Sequence, residues 1–338
     1  MRAENLHVLS CYFNHRRNSH LLKNAREWLK RTLDDGVTVH MAEHQIGERP
    51  FELTAEEFPH VHFHHVRGHA AHEVWLKEAL IKKLMTLLPD HVKYVCWEDA
   101  DVEHARRDWA AETIQMLQHH RVGQTWVHAI DMGPSGGVMR NEWGNDVDRS
   151  FSAAFIAGDV HSPLGDLLHE GRPRRKRHVP AEGYAPAREE DDGPQIDYRQ
   201  HYGYSWAARR STLEGVGLID WLVTGSADYH MALGYAGIES NVAEDSSHGY
   251  RRRIREFQRL CEEHVKQDIG CVPGTIMAHY HGPKANRFYI SRHAILTRSG
   301  FDPDKDLAYG LDGMPYLTGD NRVLRDGLRR YFSRRNED

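Results

Sequence analysis

Two aspartates separated by one residue, Asp99 and Asp101, lie in the run YVCWEDADVEH (Tyr94 to His104), which also holds Glu98 and Glu103. Carboxylates this close repel one another and shift each other's pKa unless a cation lies among them. The run is therefore either a solvated acidic turn or a set of oxygen ligands for one hard divalent cation. Beside a diphosphate, such a cation offsets the charge on a departing phosphate. A second group is GTIMAHYHGPK (Gly274 to Lys284). His279 and His281 alternate with Tyr280, so on a strand both point to one face. Gly282 lets backbone approach a ligand closely, and Lys284 carries a charge suited to phosphate. The plainer reading is two hydrogen-bonded histidines in a core or surface strand, in a chain with 26 histidines. The third group is TGSADYHMA (Thr224 to Ala232), in which Asp228 follows small residues and opens a helix. There it can cap the helix or, at a cleft, take the proton of an acceptor hydroxyl as general base.

These groups need a scaffold, and the first hundred residues alternate strand and helix signals. LHVLSCYF (Leu6 to Phe13) is a short apolar run. SHLLKNAREWLKRTLDDG places Leu21, Leu22, Ala25, Trp28, Leu29 and Leu33 at helical spacing, with Ser19 as N-cap and Gly36 as stop. VTVHMAEHQ and VHFHHVR alternate as strands do. EVWLKEALIKKLMTLLP reads as a helix closed by Pro89, and VKYVCW as a buried strand. This order predicts an α/β fold with a mostly parallel central sheet flanked by helices. In such sheets ligands bind outside the carboxyl ends of strands, where CYFNHRRN and CWEDAD both fall. Further along, DWAAETIQMLQHH reads as a helix and VGQTWVHAIDMG as one strand. HYGYSWAARRSTLEGVGLIDW reads as strand then helix, SADYHMALGYAG and HGYRRRIREFQRLCEEHVKQ as helices, and GTIMAHYHGPK as a strand running into a turn. Between about 158 and 200 the chain is rich in Pro, Gly and charge, a long irregular excursion. The expected organisation is one domain of two halves, 1–130 with the Asp-x-Asp run and 131–310 with Asp228 and His281, and a tail over 311–338. RRYFSRRNED, at the end of that tail, reads as a solvated or fraying helix end.

Composition excludes several classes. At 338 residues, 28% charged and net −5, the chain is of ordinary globular composition, with no global charge argument for nucleic acid or anionic membrane. Cys11, Cys96, Cys261 and Cys271 have neither zinc-site nor disulfide-framework spacing. With no apolar run long enough to span a bilayer and no signal-peptide layout, a cytoplasmic protein is expected. No GxGxxG or GxxxxGK[ST] is present. The six histidines of HVHFHHVRGHAAH read as a solvated strand face rather than a zinc site. The basic runs RPRRKRH (Arg172 to His178) and RRRIR (Arg251 to Arg255), with the acidic REEDD (Arg188 to Asp192), read as solvated or self-paired, although basic runs can also grip nucleic-acid phosphates.

Taken in order, NHRRN, VWLKEALIKKL, YVCWEDADV, YGYSWAARRSTLEGVGLIDW with GSADYHMA, and HYHGPKANRFYISR resemble nucleotide-sugar glycosyltransferases of the GT-A fold, of a type found in bacteria and their phages. The resemblance runs from about Leu6 to Leu311, the excursion apart. It implies metal-dependent sugar transfer from a nucleoside-diphosphate-sugar, a UDP-sugar favoured, to a hydroxyl. By the same resemblance Asp99 and Asp101 hold manganese (favoured) or magnesium against the diphosphate. His281, a better match than His279, completes the metal shell, and Asp228 is the base of an inverting reaction. Phe13, Asn14 and Glu43 fall where base and ribose are contacted, and Lys77 where the donor is reached; Gly282 and Lys284 belong to the phosphate end. The chain departs from the pattern at Ala79, where related helices carry arginine. Glu98 and Glu103 need no metal role, and Trp97 and Val102 pack. The acceptor is left open between a hydroxylated base of phage DNA, met by Arg172 to Arg177 in a host cytoplasm, a cell-surface glycan and a small metabolite. The same paired aspartates would also serve a nucleotidyltransferase, a diphosphate hydrolase or an inactive nucleotide-binding module.

Overall fold

The structure, a computed structural model, describes residues 3–140, 147–160, 200–288, 292–335 and 338, with backbone only at Lys284 and Ala285. The strands are β1 (Leu6–Phe13), β2 (Thr38–Ile46), β3 (His62–Gly68), β4 (Tyr94–Glu98), β5 (Val102–His104), β6 (Val122–Gln124), β7 (His128–Asp131), β8 (Asp148–Ser150), β9 (Gln200–His201), β10 (Ser205–Arg209), β11 (Ile269–Cys271), β12 (Thr275–Ala278), β13 (Leu307–Tyr309) and β14 (Pro315–Leu317). Seven of them form the central sheet in the order β11-β6-β10-β4-β1-β2-β3. Its pairings are parallel except those of β10, which runs against β4 and β6. The expected mixed α/β architecture, a mostly parallel sheet flanked by helices, is the observed one.

Both faces of this sheet are covered, which is why β1 is apolar almost throughout. Leu6, Val8 and Tyr12 pack on one side with Trp28, Leu29 and Trp109, whereas Leu9 packs on the other with Leu80, Leu84 and Trp97. That split follows the two-residue period of a strand. The helix Ser19–Asp34 buries Ala25, Trp28 and Leu29 of the stripe its spacing predicts, with Leu21, Leu22 and Leu33 partly buried beside them and Asn24 and Thr32 buried as well. Its cap is Asn18 rather than Ser19, and Gly36 leaves it at φ 74°.

Three expectations of local structure change. VGQTWVHAIDMG is not one strand: β6 joins the central sheet and β7 a second sheet of order β5-β12-β7-β8-β9. The GTIMAHYHGPK strand stops at Ala278, so His279 and His281 lie beyond it. RRYFSRRNED is no frayed end through Arg334. The helix Arg322–Arg334 buries Leu324, Leu328, Tyr331 and Phe332, its apolar residues falling at helical spacing on one face. The irregular excursion, with RPRRKRH and REEDD, lies outside the described residues over 161–199. Among the described residues all four cysteines are free, and no helix is long and apolar enough to cross a membrane.

Candidate active site

Strand order reverses beside β1: the chain runs outward through β2 and β3 on one side and places β4 on the other. Ligands bind at such a switch point, outside the strands' carboxyl ends. A cleft opens there, lined by the ends of β1 and β4 together with Lys77, Asp228, His281 and Phe332. β12 pairs antiparallel to β5 with Ala278 opposite Val102, and beyond that pair the His279 N–H donates to the Asp101 carbonyl at 2.7 Å. This register carries the histidine segment past the aspartates.

The ladder also sorts the two histidines. His279 Nε2 lies 2.9 Å from Glu103 Oε2, away from the aspartate pair, and His281 Nε2 lies 2.8 Å from Asp101 Oδ2. They do not share a face, because the strand ends before them. Lys77, the first residue of the helix Lys77–Met85, forms an ion pair with Asp99. Burial raises the Asp99 carboxyl above its ordinary range despite Lys77, with Asp101 adding to the rise. For Asp101 burial also pushes upward, but the His281 hydrogen bond and charge, with Arg287 and Lys77, outweigh it, and the group titrates below its ordinary range. Asp101 Oδ1 is shielded from solvent and has no hydrogen-bond partner.

Two carboxylates, an imidazole and that open oxygen suit a hard divalent cation in donor type. Among the described residues, though, no three His, Cys, Asp or Glu side chains are arranged as a metal-binding group. The present contacts explain this: Lys77 holds Asp99 while His281 holds Asp101.

Asp228 is the second residue of the helix Ala227–Tyr235, whose cap is Ser226 in the left-handed region at φ 71°. Its Oδ1 accepts the Tyr229 N–H at 3.0 Å, so it satisfies one first-turn amide and still lines the cleft. Asp228 is thus not the cap residue but a first-turn carboxylate that serves the next amide and lines the cleft. Lys77, Glu78 and Asp99 belong to its electrostatic surroundings. Glu78, unnoticed in the sequence except as the neighbour of Lys77, also lines the cleft. Burial pushes it up to about 8, Lys77 opposes the rise, and Asp228 adds to it.

Phe13 forms one wall, edge-on to Trp75 with ring centroids 5.2 Å apart, and Arg335 lies 4.7 Å over the Trp75 ring. Asn14 lines the cleft, but its amide is spent on the turn that follows β1: Oδ1 accepts from Asn18 N, and Nδ2 donates to Tyr12 and the Asn18 carbonyl. Glu43 does not reach the cleft. It is fully buried, Oε1 accepting from Gln45 Nε2 and Glu52 N and Oε2 from Leu53 N, so it ties down the loop after β2. Gly282 turns at φ 89° directly after His281, and the Lys284 side chain lies outside the described residues. Arg287 and Arg292, both buried at the cleft, were not singled out by spacing; their only signal was their place after HYHGPK.

No family model matches the chain, and no curated protein matches it. Among solved structures, it is similar to glucosyl-3-phosphoglycerate synthase from Mycobacterium tuberculosis in complex with Mn2+, UDP-glucose and phosphoglyceric acid, at 12% identity, 92% of this chain, 86% of that chain and TM-score 0.40. It is also similar to 4-diphosphocytidyl-2C-methyl-D-erythritol synthase from Anaerococcus prevotii, at 10% identity, 80% and 87% coverage and TM-score 0.34. Likenesses this distant carry no argument about activity.

Proposed function

We propose that the protein is a metal-dependent glycosyltransferase that moves a sugar from a nucleoside-diphosphate-sugar, a UDP-sugar by preference, to a hydroxyl acceptor with inversion. One observation carries the reading: Asp99, Asp101, His281, Lys77 and Asp228 converge in a single cleft at the sheet's switch point, and Asp101 keeps a shielded oxygen without a partner. Manganese or magnesium held by Asp99, Asp101 and His281 would stabilise charge on the leaving diphosphate. Lys77, with Arg287 nearby, supplies positive charge for the phosphate oxygens. The Phe13–Trp75 wall offers apolar contact to the base. Asp228 takes the proton of the acceptor hydroxyl as that oxygen attacks the sugar's anomeric carbon. The acceptor is defined only as a hydroxyl, because the basic run Arg172 to His178 lies outside the described residues.

The test is calorimetric titration with UDP, with and without manganese, followed by product analysis with UDP-sugars. Binding that requires manganese, and UDP as product, are expected. Pyrophosphate would instead mark a nucleotidyltransferase and UMP a diphosphate hydrolase. No binding with or without metal would leave an acidic turn and no donor site.

A further inference from the structure

Asp228 and Asp99 come from segments more than a hundred residues apart, yet one short turn touches both. The Tyr204 carbonyl accepts the Asp99 N–H at 2.8 Å. One residue earlier, Gly203 lies so near Asp228 that a Cβ built on it would stand 2.5 Å from Asp228 Oδ2. The turn is fastened on every side. Gln124 Nε2 donates to the carbonyls of His201 and Gly203 at 3.1 and 3.3 Å. The Tyr204 hydroxyl donates to Asp131 Oδ1 at 3.0 Å, and the His201 ring stacks on Tyr204 at 3.8 Å. Ser205 Oγ donates to buried Glu98 at 2.8 Å. Tyr204 itself sits at φ 71°, where a residue with a side chain is strained and persists only if its surroundings over-determine it.

We propose that the turn His201–Ser205 is a positioning element and that Gly203 is its positioning residue, fixing the carboxylate of Asp228 at a set distance from Asp99. This rests on the reading of Asp228 as general base. The absence of a side chain at 203 is then a requirement of the site rather than of the backbone. Gly203 is not among the glycines with positive φ, so alanine is compatible with the chain's path there. The three atoms nearest its Cβ are side-chain atoms, two at the end of Asp228 and His201 Cε1 at 3.3 Å. An added methyl therefore displaces the base and leaves the fold intact.

The experiment is a double-mutant cycle on turnover, with UDP affinity measured by calorimetry for each protein. Gly203→Ala alone is expected to lower kcat about a hundredfold, the cost of moving a catalytic group by an ångström. UDP affinity and melting temperature should be unchanged. In Asp228→Asn protein the same substitution should lower kcat further by no more than about twofold, since little remains to displace. Equal losses in both backgrounds, no loss in either, or a Gly203→Ala protein that fails to fold would each overturn the proposal. Unaltered turnover in Asp228→Asn alone would overturn the base assignment and the positioning role with it. A slow Asp228→Asn beside a normal Gly203→Ala would overturn the positioning role only.

Discussion

Glu98 and Asp101 stand three residues apart at the end of one strand, and their oxygens meet opposite fates. Glu98 is 2% exposed and saturated: Oε1 accepts from Trp28 Nε1 at 2.7 Å, and Oε2 accepts from Ser205 Oγ at 2.8 Å and faces His104 Nε2 at 2.8 Å. Asp101 has His281 on one oxygen and no partner on the other, which is equally shielded from water. A carboxylate with both oxygens answered by the chain completes a core; one with an oxygen left open keeps acceptor capacity for something the chain does not provide. The contrast separates a satisfied acid from an open one within a single acidic cluster, where charge density alone could not.

The largest expected effect lies at Asp101. Asp101→Asn keeps the shape and removes the charge, and should cut manganese-dependent kcat/KM by about a hundredfold or more while the melting temperature holds. A normal rate would remove Asp101 from the chemistry. Glu98→Gln should do the reverse. It turns an amide N–H toward donors that need an acceptor, and should cost about 2 kcal/mol in a denaturant titration, with UDP affinity retained by the folded fraction. Next comes Lys77→Met. Loss of a charged hydrogen-bond donor should weaken UDP about tenfold by calorimetry. Unchanged UDP affinity would mean that Lys77 serves only to balance Asp99.

A last set of effects is read from the pH dependence of stability. Burial holds His15 at about 4, and His40 and His44 at about 3, whereas in the unfolded chain each titrates near 6.5. Below that value the unfolded state binds more protons, so stability should fall as pH drops from 6.5 toward 3 to 4. Glu78 works on the other side. Burial raises it to about 8 from 4.5, so the folded state holds a proton that the unfolded state releases, and this contribution is lost as pH rises from 4.5 to 8. Glu78→Gln should flatten the alkaline slope of the denaturation midpoint and leave the acid slope in place; an unchanged alkaline slope would mean that Glu78 ionises freely in the folded protein.

Much of the scaffold was legible. β1, β2 and β3 begin and end within about a residue of the runs read as strands, and the helices Ser19–Asp34 and His248–His264 lie on runs read as helical. The Asp-x-Asp pair stands just past the end of β4, as the buried run before it implied. Less legible was the segment before β10, because Gly203 and Tyr204 bear no chemistry of their own and matter only through what they touch. Glu43 misled because a glutamate near a strand's carboxyl end resembles a ligand contact, while its actual partners are the Gln45 side chain and backbone amides nine and ten residues on. The final helix was underestimated because its arginines mask an apolar stripe of Leu324, Leu328, Tyr331 and Phe332.

The set of elements and the placing of acidic residues at a strand end can be read along the chain. Both depend on periodicities and neighbours a few residues apart, which a linear reading contains. Which of those acids is satisfied and which is open depends on contacts between distant segments. Trp28 lies 70 residues from Glu98 and Ser205 lies 107 from it; His281 reaches Asp101 only because β12 pairs with β5. A hydrogen bond is won by whichever donor the fold brings within about 3 Å. That choice is made by packing between elements distant in the chain, and no local pattern records it.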